Sequence, residues 1–129
     1  MGFAHLTLAT REVEKTASFL EQTLGYPRDP VPENVPCESV WLNLGRGHQL
    51  HITYVDAFEV SPFEGEFGRH VALIHPPAQF ESLKQALVQR GAELIEPLRG
   101  TPFERFFFRE PVNGYLFEII DANRKRSDA

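Results

Sequence analysis

The 129-residue sequence predicts an α+β fold built from two copies of one β-α-β-β-β module, and three observations carry that reading. Each half opens on a short alternating stretch, His5-Leu6-Thr7-Leu8-Ala9 or His70-Val71-Ala72-Leu73-Ile74, followed by an amphipathic segment that ends at Gly25 or Gly91. Later glycines repeat as well: Gly47 precedes His51 by four positions, and Gly114 precedes Glu118 by four. Finally, His5 precedes His51 by 46 positions and His70 precedes Glu118 by 48, so a polar residue stands at matching places in both halves. Self-similarity of this kind defines the architecture before any single residue is interpreted.

The elements follow in order. After the opening strand, Val13, Ala17, Leu20 and Leu24 recur at i, i+4, i+7 and i+11, with Thr10 as N-cap, Glu12 and Glu14 in the first turn and Gly25 just past the end. Strands are expected around 38–44 and 49–54, joined by the tight turn Gly45-Arg46-Gly47. In the second half Pro76-Pro77 suits a helix start, Phe80, Leu83 and Leu87 form the apolar stripe, and Gly91 ends it. Strands then follow at 93–98, 104–109 and 115–120, the last two joined through Val112-Asn113-Gly114. Each helix has one apolar face, so each lies on a sheet. The expected organisation is one domain: module one over residues 2–55, a Pro-, Gly- and Phe-rich connecting loop over 56–68, module two over 69–122, and a tail over 123–129.

Composition narrows the function. With 42% hydrophobic and 24% charged residues the chain reads as an ordinary globular protein. Its formal net charge of −5 lacks the broad basic face that nucleic acid requires, and the Arg124-Lys125-Arg126 cluster reads as a solvated tail. Cys37 is the sole cysteine, which excludes an intrachain disulfide or a thiolate metal cluster within one chain and fits a reducing compartment. No apolar run approaches the ~20 residues needed to cross a bilayer. A cytoplasmic location, with a small molecule rather than nucleic acid or membrane as partner, is the expectation.

Side chains alternate across a strand, so each polar candidate takes a face. His5 shares its face with Phe3 and Thr7, His51 with Gln49 and Thr53, His70 with Ala72, and Glu118 with Leu116 and Ile120. In every case the face suited to pack on a helix is the opposite one. We therefore expect His5, His51, His70 and Glu118 to form a single divalent-metal site. Three imidazoles and a carboxylate suit Fe, Zn, Ni, Mn or Co, and an ion taking five or six ligands keeps a position for water or substrate.

These stretches resemble the vicinal oxygen chelate superfamily, which includes glyoxalase I, extradiol dioxygenases, methylmalonyl-CoA epimerase, fosfomycin-resistance proteins and bleomycin-binding proteins. The resemblance is carried by His5-Leu6-Thr7-Leu8 leading to the run from Phe19 to Gly25, by Gln49-Leu50-His51-Ile52 and by Gly68-Arg69-His70-Val71-Ala72-Leu73. It is also carried by the run from Glu110 to Ile119, which is similar to the family's Asp-Pro-x-Gly-Asn-x-x-Glu pattern. It implies a cupped, half-open barrel-like mixed sheet with helices on the outer face, and metal ligands at the places of His5, His51, His70 and Glu118. It also implies a homodimer, and chelation of a substrate through neighbouring oxygens. The position of His51 is usually glutamate in glyoxalase I, whereas extradiol dioxygenases match His5, His70 and Glu118 alone. His51 is accordingly read either as a fourth ligand or as a displaceable one that acts as general base.

Two functions compete at this point. One is a metal-dependent lyase or isomerase, or an Fe(II) dioxygenase, acting on a small oxygenated substrate. The other is a metal-free protein that sequesters a drug-like molecule, as bleomycin-binding members do. The remaining features have plainer readings: capping or surface roles for His48 and His75; surface ion pairs for Arg69, Arg105 and Arg109, ahead of contact with a substrate carboxylate or phosphate near the site; core packing for Phe103 and Phe106 to Phe108, ahead of lining a ligand pocket or subunit interface; and an inert thiol at Cys37.

Overall fold

The structure, a computed structural model, describes residues 1–125. Arg126 and the rest of the expected tail lie outside the described residues. The chain divides into two compact units, the first ending at Glu59 and the second beginning at Val60, within the expected connecting loop.

In the first unit the elements are β1 (His5–Thr10), α1 (Val13–Leu24), β2 (Arg28–Asp29), β3 (Ser39–Gly45) and β4 (His48–Tyr54). They form an open four-stranded mixed sheet in the order β1-β4-β3-β2, with β1 parallel to β4 and the other pairs antiparallel. The periodicity read from the sequence becomes the core: Leu8, Leu42, Leu50 and Ile52 from the strands and Val13, Ala17 and Leu20 from α1 are all essentially inaccessible. The helix packs on β3 and β4. It ends at Gly25, whose left-handed φ of 79° lets its N–H reach the Glu21 carbonyl at 2.9 Å. Its start differs from the expectation. Thr10 is the last residue of β1, its hydroxyl accepts the Glu12 N–H at 2.9 Å, and Glu12 occupies the N-cap position without a side-chain cap. The hydroxyl secures the strand-to-helix turn rather than the first helical N–H groups.

The second unit repeats the plan with β5 (Val71–His75), a 3-10 turn over Pro77–Gln79, α2 (Phe80–Gln89), β6 (Glu93–Ile95), β7 (Arg105–Arg109) and β8 (Leu116–Asp121). Its sheet has the order β5-β8-β7-β6, with β5 parallel to β8. The two β-α-β-β-β modules are therefore present, each with its first and last strands adjacent. Strand β6 stops short of the expected 93–98 because Pro97 has no N–H to give a ladder. Phe106, Phe107 and Phe108 are buried, as core packing required. The β7–β8 turn is organised by Glu110, a buried carboxylate that accepts the N–H groups of Val112 at 2.8 Å, Asn113 at 2.9 Å and Tyr115 at 3.2 Å.

Candidate metal centre

In the first unit the register of β1, β4 and β3 places Thr7 and Trp41 on either side of His51, on the face opposite α1. His51 is buried between two parallel rings: His5 on one side, with centroids 3.8 Å apart and planes 9° apart, and Trp41 on the other at 3.8 Å and 4°. In-plane lone pairs on parallel rings do not meet at a point. His5 and His51 therefore cannot bind one ion in this conformation unless one ring turns.

The tautomer of His51 follows from its neighbours. Gln49 Nε2 donates to Asp29 Oδ2 at 2.9 Å, which fixes the amide so that its oxygen faces His51 Nε2, also at 2.9 Å. Asn43 holds the other oxygen of Asp29 at 3.3 Å. Nε2 accordingly carries the hydrogen and Nδ1 carries the lone pair. Burial, and then the charge of His5, hold the His51 imidazole below its ordinary pKa, so it is neutral near pH 7.

In the second unit His70 stands one residue before β5, and Glu118 lies in β8 opposite Phe107 and Ala72. His70 Nδ1 donates to the Gly65 carbonyl at 3.1 Å, and Nε2 faces Glu118 Oε1 at 3.1 Å. With Nδ1 so committed, a neutral ring turns its lone pair toward a carboxylate oxygen, and only a proton or a metal cation between the two makes that contact favourable. Two metal bonds of about 2.1 Å at roughly a right angle span about 3 Å, so the donor atoms fit a transition ion. Phe107 packs edge-on against His70, with centroids 5.2 Å apart.

Arg105 corrects the expectation of surface ion pairing. Its side chain is only 3% exposed; Nη1 donates to Glu118 Oε2 at 2.9 Å, and Nη2 to Glu66 Oε2 at 2.9 Å and to the Arg99 carbonyl at 2.6 Å. Burial alone would raise the Glu66 carboxyl, but the Leu98 and Arg99 N–H groups and Arg105 outweigh it and hold it down at about 2. Arg69 pairs with the buried Glu64 at 2.8 Å, and Arg109 reaches the Gly114 carbonyl at 3.2 Å. His48 stacks on Phe3, His75 lies against Phe80, and Cys37 is exposed.

The structure thus brings the four predicted residues together as two pairs, His5 with His51 and His70 with Glu118, one in each unit. Among the described residues of either unit, no three His, Cys, Asp or Glu side chains are grouped to hold a metal ion. Sequence reasoning missed Trp41 and the contact of Arg105 with Glu118. Alternation from His51 and Glu118 supplies their strand faces only once the cross-strand register is known.

No described helix is long and apolar enough to cross a membrane. The fold is similar to that of a glyoxalase family protein from Bacillus anthracis, with a TM-score of 0.75, 22% identity, and 94% of each chain covered. It is similar to the fosfomycin resistance protein FosX from Mesorhizobium loti, with a TM-score of 0.72 and 17% identity over 95% of this chain and 92% of that one. A variant of Listeria monocytogenes FosX, solved with Mn(II) and dihydroxypropylphosphonic acid, matches with a TM-score of 0.74 and 17% identity over 93% and 91%. No curated protein matches the sequence. The model of the Glyoxalase/Bleomycin resistance protein/Dioxygenase superfamily matches residues 2–119, and the chain belongs to that superfamily.

Proposed function

We propose that the chain is a divalent-metal-dependent enzyme of the glyoxalase/dioxygenase type that acts on a small oxygenated substrate by bidentate chelation. Its donors are His5 and His51 from the first module and His70 and Glu118 from the second, with His51 as the exchangeable, catalytic member. The observation that carries this reading is the approach of His70 Nε2 and Glu118 Oε1 to 3.1 Å while Nδ1 is bonded to Gly65, a spacing that suits two donors to one ion. The Mn(II) and the phosphonate diol held by the FosX variant support an ion and a small oxygenated ligand on this fold. When bound, such an ion supplies Lewis acidity to the substrate oxygens.

The chain's own groups supply the rest. The Asp29–Gln49 chain keeps the hydrogen on Nε2 of His51, which leaves Nδ1 to accept a proton, and the depressed pKa keeps it able to do so at neutral pH. Trp41 and His5 stack on the ring and hold it in this orientation, and one imidazole turns out of the stack for both to reach one ion. A positioned base favours proton transfer, the lyase or isomerase branch of the superfamily, over oxygen-dependent cleavage.

The test is titration of metal-free protein with Mn(II), Zn(II), Fe(II), Ni(II) and Co(II). One ion per chain is expected for at least one of these, with binding lost in His70→Ala and Glu118→Ala. Absence of stoichiometric binding in the wild type would overturn the reading, and tight capture of a drug-like molecule undisturbed by chelator would replace it with sequestration.

A further inference from the structure

The two oxygens of Glu118 have different partners, and this sets what the residue can offer an ion. Oε1 faces His70 Nε2, while Oε2 accepts from Arg105 Nη1 at 2.9 Å. Arg105 is itself held from its other end: Nη2 donates to Glu66 and to the Arg99 carbonyl, and Glu66 also accepts the N–H groups of Leu98 at 2.7 Å and Arg99 at 3.0 Å. The guanidinium lies 5.4 Å from the centroid of the Phe107 ring, so it is fixed in direction as well as in place. Gly65, next to Glu66, supplies the carbonyl that orients His70. One short segment therefore anchors both donors of the second unit, one directly and one through Arg105.

We infer that Arg105 and Glu66 are positioning residues for Glu118, locking its carboxylate so that Oε1 alone is presented to a divalent ion. The inference rests on the proposed metal-binding reading. A free glutamate would have to order its side chain on binding an ion, whereas this one is already ordered by partners that do not touch the ion. Outer partners of this kind are worth about 10-fold to 100-fold in metal affinity. Glu66 holds Arg105 both directly and through Arg99, whose N–H it accepts and whose carbonyl takes the second bond from Nη2.

The experiment measures Mn(II) affinity and stoichiometry of the full chain by the loss of the free-ion electron paramagnetic resonance signal. Wild type, R105Q, R105K and E66Q are compared, with R28Q as a surface control. Thermal unfolding without metal is recorded for each. Arg105→Gln is expected to weaken binding by about 10-fold to 100-fold and Glu66→Gln by about 10-fold. Arg105→Lys should recover part of the loss, since it keeps the charge but cannot bridge both carboxylates. Arg28→Gln should leave the affinity unchanged, because among the described residues Arg28 forms its ion pairs with Glu14 and Glu21 on the exposed surface. If wild type binds one ion and both E66Q and R105K bind within twofold of it, the positioning role is overturned while the metal reading stands. If wild type binds none, the metal reading itself fails. Should R105Q not fold, E66Q and R105K decide the question.

Discussion

Replacing Glu110 tests whether the turn before β8 is held by one carboxylate. The residue is 1% exposed, and its side chain accepts three backbone N–H groups, from Val112, Asn113 and Tyr115. The Glu110 backbone adds two more bonds, N–H to the Tyr115 carbonyl at 2.9 Å and carbonyl to the Gly114 N–H at 3.1 Å. Hydrogen bonds to a charged acceptor contribute about 1.5–3 kcal/mol each. Water can replace the carboxylate at the half-buried Val112 and Asn113, but less readily at the buried Tyr115. Glu110→Ala is therefore expected to destabilise by about 3–4 kcal/mol, short of the sum of three such bonds. Glu110→Gln keeps one oxygen but turns an NH2 toward an N–H, and about 1–2 kcal/mol is expected. Urea unfolding followed by far-ultraviolet circular dichroism gives both values. With a slope of about 1.5 kcal/mol/M, the alanine variant should lower the midpoint by about 2 M with the slope unchanged. Two variants within about 1 kcal/mol of wild type would show that the turn is held by backbone pairing alone.

Two further outcomes follow from the histidines. In Gln49→Leu the acceptor for His51 Nε2 disappears, so the ring nitrogen shifts in a 15N spectrum at pH 7.5 should move from a clean Nε2–H tautomer to a mixture; an unchanged spectrum would dismiss the Asp29–Gln49 chain as the cause. For His75, burial lowers the pKa and a Gln79 bond partly offsets that. The unfolded state then takes up its proton first, at a pKa near 6.5, so stability is full above that pH, declines as pH falls through it and levels off below the folded pKa. His75→Gln should flatten part of the decline in urea midpoint between pH 7.5 and 5, and equal slopes in the two proteins would refute the assignment.

Much of the fold was legible because its signals are periodic. Val13, Ala17, Leu20 and Leu24 announce a buried helical face, and Gly25 its end, through local geometry that tertiary contacts do not override. Strand β2 was not legible, since two residues, Arg28 and Asp29, carry no period. Its place is set by pairing with Leu42 and Trp41, and by the ion pairs of Arg28 with Glu14 and Glu21 on α1. Thr10 misled because a hydroxyl near a helix start serves the turn as well as the cap, and only the hydrogen-bond geometry separates the two.

For the candidate site, alternation assigned the faces of His5, His51 and Glu118 correctly, because one face of each sheet is covered by a helix and a one-residue slip would bury the imidazoles there. Alternation says nothing about how a side chain is held. Trp41 meets His51 only through the β3–β4 register, and Arg105 reaches Glu118 through the register of β7 with β8. Glu66 comes from a loop with no pattern at all. The consequence is chemical. His51 is stacked, neutral and fixed in one tautomer, and Glu118 has one oxygen already taken, so the two residues with the same place in their modules are prepared for different work. A base must keep a lone pair available while exchanging protons, and a permanent ligand must keep its direction. Under the proposed function the stacked His51 suits the former requirement and the Arg105-held Glu118 the latter, a division that matching places in the sequence conceal.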